Sequence, residues 1–213
     1  MARRWPLYLL TCAAVFGLQL AFASFARIAH PEVYAAIVGQ PFVIAVVTVF
    51  AGADATGKLS TAQCWERIAE RAWAIIVMDV GFSVLNASAL KSVESADGVD
   101  VVFGFLAILL GGMLVYAEPF AALEKDAQTL TLIPFALLRS MMLAWVNISR
   151  VFALLAVQIA TAILLLLAEE GARRAGIAAS VWVDLGLATL VSAPLAALYA
   201  VAYLDTLSVE KRT

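Results

Sequence analysis

The stretch LRSMMLAWVNISRVFALLAVQIATAILLLLAEE, Leu138 to Glu170, decides how the chain is read. Its back half, Val151 to Ala168, is apolar enough to span a bilayer, which takes about 20 residues. Its front half is apolar too, yet Arg139 and Arg150 bracket it. These arginines stand eleven residues apart, about 20° apart around a helix of 3.6 residues per turn. Both guanidinium groups therefore face one way, toward water and lipid headgroups. Met141, Ala144 and Trp145 take the opposite side, suited to the headgroup–acyl boundary. The stretch thus reads as an interfacial helix to about Ser149 followed by a span. A single long tilted helix is the alternative.

The rest of the chain agrees that the solvent is lipid. Of 213 residues, 64% are hydrophobic and only 14% are charged, against about a quarter charged in an ordinary soluble domain. The mean hydropathy is +0.96. The net charge of −2 and the lack of any Lys/Arg-rich tract argue against a nucleic-acid partner. Cys12 and Cys64 form no C-x-x-C pair, so neither a disulfide nor a metal site is expected.

Six spans emerge, at about Trp5–Ala26, Val33–Ala53, Arg71–Leu90, Val101–Leu123, Val151–Ala168 and Val181–Leu204. Pro41 interrupts the second, where a kink is expected rather than a break. The first follows a basic start and contains Ala21-Phe22-Ala23, which resembles a signal-peptidase site. Its apolar run is long for a leader, and it is read as a span. With the N-terminus in the cytoplasm, Arg3, Arg4, Lys58, Arg67, Arg71, Lys125, Arg139, Arg150, Lys211 and Arg212 all lie inside. Only Arg27, Lys91, Arg173 and Arg174 lie outside, an asymmetry that sets both termini in the cytoplasm.

The chain also repeats itself. RAWAIIV (Arg71 to Val77) lies over RVFALLA (Arg150 to Ala156), and LVYAEPFAALEK (Leu114 to Lys125) over AVAYLDTLSVEK (Ala200 to Lys211). Each span is preceded by a helix-compatible segment of mixed polarity. The first of these opens with Ser60-x-x-Gln63, a capping-box signature. The expected architecture is an all-α, polytopic transmembrane bundle of about six spans with two interfacial amphipathic helices. Within one integral membrane domain, two added spans (1–58) precede parallel repeat units at 59–126 and 129–212.

One resemblance follows from these motifs. An F-x-LLRS-x-x-LAW-x-N-x-x-R segment (Phe135 to Arg150) runs into an aliphatic span, and the last helix closes as APLAALYAVAYLDTLSVEKR (Ala193 to Arg212). Over roughly Ser60 to Arg212 the chain resembles the bacterial glycerophosphoryl diester phosphodiesterase membrane-domain-like proteins. The resemblance implies a six-helix protein of the bacterial inner membrane.

Ionisable groups at membrane depth are costly and so are candidates for function. Asp79 is the clearest, with Ser83 and Asn86 following on its face; in the repeat it falls on Gln158, with Thr161 three residues on. These five residues form two polar stripes, read either as a site for a cation, proton or polar substrate or as plain interhelical hydrogen bonding. Glu118 and Asp205, the acids of the two Tyr-x-acid exits, are expected near the inner interface, pairing with Arg139, Arg150 or Lys211. His30, the only histidine, sits in a loop and is no zinc site by itself.

No nucleophile with a base, metal cluster or phosphate cradle is visible, so no catalytic residue, metal or cofactor is expected. The favoured reading is a non-catalytic membrane protein, a scaffold or bilayer-organising component with the bilayer, a membrane-protein partner or a second copy as its contacts. The alternative is a small transporter or lipid-handling protein that uses the Asp79 and Gln158 stripes. The topology itself is testable. Alkaline phosphatase joined after Ala96 should be active and green fluorescent protein joined after Thr213 should fluoresce; the reverse pattern would invert the orientation.

Overall fold

The computed structural model describes residues 4–25, 31–94, 98–124, 131–174 and 181–210. Some further side chains, Ser83 and Asn86 among them, lie outside the description. The described residues form eight helices and no strand: α1 (Trp5–Phe25), α2 (Pro31–Thr56), α3 (Thr61–Glu94), α4 (Gly98–Met113), α5 (Ala117–Leu123), α6 (Leu132–Val146), α7 (Ile148–Arg174) and α8 (Val181–Glu210). Five stretches among them are long and apolar enough to cross a membrane: Trp5–Phe22, Gly39–Thr56, Val101–Leu123, Ile148–Ala168 and Gly186–Glu210. The expected third span, Arg71–Leu90, lies within α3 but is not one of the five. Charges crowd the first turns of α3, at Glu66, Arg67, Glu70 and Arg71, and Asp79 interrupts the apolar run beyond them.

Local signals behave as the chemistry dictates. The capping box closes at the start of α3: the Ser60 N–H donates to Gln63 Oε1 at 2.9 Å, and the Gln63 N–H to Ser60 Oγ at 3.3 Å. Helix α2 runs continuously through Pro41. The decisive stretch is two helices, parted at Asn147, whose backbone N–H and side-chain Nδ2 both donate to the Leu143 carbonyl at 3.0 Å. The part thus falls two residues before the expected Ser149.

One expectation about α6 needs correcting. Ala144 does not face the membrane boundary; it is fully buried, with Leu132, Ala136, Ser140 and Leu143, because these small residues let α6 close against its neighbours. The exposed apolar stripe is instead Phe135, Leu138, Met142 and Trp145. The arginines reach α8, where Arg139 pairs with Glu210 and Arg150 Nη2 lies 2.9 Å from Asp205 Oδ2.

Helices α2 and α8 pack side by side at the centre. Val43, Val46, Val47 and Phe50 of α2 meet Ala193, Ala196, Ala197 and Ala200 of α8 in one core cluster, which α1 completes with Tyr8 and Cys12. A second cluster joins Met78, Tyr116, Phe120, Leu143, Leu154 and Tyr203, with the Tyr116 and Tyr203 ring centroids 6.3 Å apart. Helix α7 is peripheral and scarcely buried. Its exposed Phe152, Val157, Ile163, Leu164 and Leu167 suit lipid as the neighbouring solvent.

The expected span Val101–Leu123 is not one helix but two, α4 and α5, separated by a turn at residues 114–116. Pro119 favours the break, since it has no N–H for the Val115 carbonyl, and the bonds that Ser140 makes set it apart from Pro41 and Pro194, which stand within unbroken helices. Straight helix would pair the Tyr116 N–H with Gly112 and the Met113 carbonyl with Ala117. Both groups turn to one side chain of α6 instead. The Tyr116 N–H donates to Ser140 Oγ at 3.0 Å, and Ser140 Oγ donates to the Met113 carbonyl at 2.9 Å. At the far end of α5, Arg67 Nη1 donates to the Leu123 carbonyl at 2.7 Å.

The two segments read as repeat units therefore part in different places. Residue 68 of the first, where the second has Asn147, is Ile, and α3 runs straight through it. Matched on the two Tyr-x-acid exits, Pro119 falls on Thr206, whose Oγ1 donates to the Ala202 carbonyl at 2.8 Å, and α8 is unbroken.

Losing Ser140 Oγ would strand a buried N–H and a buried C=O, each a penalty of about 1–3 kcal/mol. Ser140→Ala should therefore destabilise the detergent-solubilised protein by about 2 kcal/mol or more. A thermal midpoint equal to that of the unmodified chain would show that the hydroxyl does not hold the turn.

Candidate functional site

The turn has a consequence for Glu118, which follows it directly. Glu118 does not pair with Arg139 or Arg150, two of the partners the sequence led us to expect. It lines a cavity of about 510 Å³ between the helices, together with Asp79; both acids are half-buried, and the cavity is open along α7, where Gln158 and Ile159 are exposed. Glu118 stands in the first turn of α5, directly past the break, and Leu114 and Val115 of the turn line the same cavity. Arg139 and Arg150 are taken by Glu210 and Asp205, both on α8. Lys211 lies outside the described residues.

Walls of the cavity come from α2, α3, α4 with its turn, α5, α7 and α8. Five lining residues are polar: Asp79 from α3, Glu118 from α5, Gln158 from α7, and Ser192 and Tyr199 from α8. The others are apolar or glycine, including Phe82, Leu85, Leu155 and Leu195. Ser192 Oγ donates to the Ala188 carbonyl at 2.8 Å, so its proton is engaged within α8. The Tyr199 hydroxyl is buried with no hydrogen-bond partner among the described residues. Gly112 lets α4 meet α7 here, because a Cβ at this position would collide with Leu155.

The electrostatics of the cavity are one-sided. Asp79 and Glu118 sit on different helices and lie close enough for their charges to interact. Among the described residues, no Lys, Arg or His lines the space around them. Two carboxylates in a low-dielectric interior need a counter-charge, which a proton on one of them or a bound cation can supply.

The expected stripes meet in part. Gln158 of α7 lines the same cavity as Asp79. Thr161, half-buried on α7, is not part of the lining. The side chains of Ser83 and Asn86, and His30 altogether, lie outside the described residues. Arg150 and Asp205 make the expected interfacial pair, with Arg150 Nη1 also 3.4 Å from Thr206 Oγ1. More than half of the Asp205 side chain is exposed, so the pair fixes geometry more than it stabilises.

Two participants were not singled out from the sequence, and a third was given another role. Tyr199 and Ser192 sit in an Ala-rich helix where nothing local marks them. Glu118 was singled out for another role, and the signal that relocates it is the Gly111-Gly112 and Pro119 pattern, an interrupted hydrophobic segment. Elsewhere, the Tyr203 hydroxyl donates to Glu124 Oε1 at 2.8 Å and Arg4 Nε lies 2.9 Å from Asp54 Oδ1, tying helix ends together. Cys12 and Cys64 are both buried and unbridged, and burial pushes the Cys64 thiol up. No cluster of three His, Cys, Asp or Glu that could hold a metal occurs among the described residues.

Comparison with known proteins adds no relative: no family model, no curated protein and no solved structure matches the chain.

Proposed function

We propose that this chain is a small carrier of the bacterial inner membrane that binds a cationic solute between Asp79 and Glu118 and moves it across the bilayer. The observation that carries this reading is the placement of two carboxylates from different helices in one cavity whose lining, among the described residues, includes no cationic side chain. A protein that served only as a scaffold would gain nothing from two such acids, because apolar residues of the same volume pack a core without the desolvation penalty. For that reason the cavity shifts the preference from scaffold to carrier.

The broken α4–α5 segment supports the same reading. Carriers commonly place their sites where a membrane helix is discontinuous, since irregular backbone is tolerated at depth only against protein or a cavity. Here Leu114 and Val115 of the turn line the cavity beside Glu118. In this reading α3 supplies the sixth span despite Asp79, both termini face the cytoplasm, and the units at 59–126 and 129–212 are parallel repeats that have diverged at their breaks. The glycerophosphoryl diester phosphodiesterase membrane-domain-like resemblance is part of the proposal as the source of the inner-membrane location.

Conservative removal of either charge tests it. In cells lacking the gene, Asp79→Asn and Glu118→Gln should each reach normal membrane levels yet restore less than about a tenth of the function that the unmodified chain restores, the loss expected for an essential buried charge. Full restoration by both variants would reject a carrier built on these acids and return the scaffold to first place.

A further inference from the structure

We infer that the solute is an organic cation with an apolar body, bound in exchange for a proton, rather than a metal ion. This rests on the carrier reading of the same cavity and names the class of its substrate. Two features of the space decide between the candidates. The first is size. At about 510 Å³ the cavity lies in the range of small-molecule sites, roughly 300–1,000 Å³, which are mostly apolar with a few placed polar groups.

The second feature is the kind of wall. Hard cations such as Mg²⁺ and Ca²⁺ take about six to eight oxygen ligands drawn tightly around them. The lining here offers two carboxyls, one amide and two hydroxyls, and one of those hydroxyls already donates within its own helix. The same lining includes Phe82, Leu85, Leu155 and Leu195. Such a wall suits the hydrocarbon part of an organic cation. The aromatic faces of Phe82 and Tyr199 add attraction for its charge.

The charge balance follows from the same geometry. Asp79, Glu118 and Tyr199 are the titratable groups of the lining; α2, α4 and α7 contribute none to it. A solute carrying one positive charge, entering a site that holds one proton on its acid pair, releases that proton and leaves the net charge of the cavity unchanged. Solute and proton thus compete for one pair of carboxylates.

Binding of tetraphenylphosphonium to the full chain in detergent tests this directly, because the probe has a permanent charge and no proton of its own. Any pH dependence of its binding then belongs to the protein. The unmodified chain should bind it saturably and more weakly as pH falls. Asp79→Asn and Glu118→Gln should each weaken binding tenfold or more, and the double variant should lose the pH dependence. Phe82→Ala, which leaves both acids in place, should also weaken it. Mn²⁺ and Na⁺ in excess should not displace the probe.

Three results would overturn the inference. If Mn²⁺ or Na⁺ bound in a manner that required Asp79 and tetraphenylphosphonium did not, the carrier would stand but its substrate would be a metal ion. If neither kind of cation bound, the carrier reading would fall with the inference. Probe binding equal in all the folded variants would be partition into detergent and apolar surface, and would equally refute the site. Elution as a single peak at the unmodified volume separates each variant from a misfolded one.

Discussion

A backbone group inside a membrane must find its partner within the protein, because the hydrocarbon around it offers none. The arrangement of this bundle turns on how that constraint is met at one place. Pro119 removes an N–H from what would otherwise be an unbroken span. Ser140, on α6, accepts from Tyr116 and donates to Met113, taking up the donor and the acceptor that the break releases. A single hydroxyl therefore bridges the turn between α4 and α5. Glu118 follows that turn directly and lines the cavity.

Packing elsewhere follows the rules of a medium in which apolar contact alone brings helices little advantage, since lipid tails are as apolar as leucine. Close approach then depends on small side chains. The α2–α8 pair at the centre sets valines against Ala193, Ala196, Ala197 and Ala200. Gly112 lets α4 and α7 approach beside the cavity. Buried polar residues tie the remaining contacts: Thr189 Oγ1 lies 3.3 Å from Gln19 Oε1 between α8 and α1, and Thr206 Oγ1 lies 3.4 Å from Tyr116 Oη between α8 and the α4–α5 turn. The cavity is what remains where six segments converge and two acids keep their neighbours apart.

Much of this was legible in the sequence, and the parts that were not share a cause. The all-helical class, the apolar stretches, the capping box at Ser60 and the parting of the Leu138–Glu170 stretch all come from local chemistry, which one chain displays on its own. Asp79 stood out because an acid in an apolar run is conspicuous, and its repeat partner Gln158 followed. Glu118 looked interfacial because it was counted along a straight helix, and only tertiary contact with Ser140 reveals the turn. Tyr199 and Ser192 were unreadable for the same reason: their role depends on which helix faces them. Ala193 and Ala197, one turn apart on α8, are both buried in the cluster that α8 shares with α2.

The central claim is that Asp79 and Glu118 face one space. A cysteine pair at these two positions, in a chain carrying Cys12→Ala and Cys64→Ala, tests it most directly. A short bifunctional methanethiosulfonate should join residues 79 and 118 within one chain in high yield, read by mass spectrometry of the linked peptides. The same reagent should fail to join residues 79 and 205, since Asp205 is held by Arg150 away from the cavity lining. A 79–205 link without a 79–118 link would mean that α5 continues straight from α4, that Glu118 lies at the interface, and that the shared site does not exist.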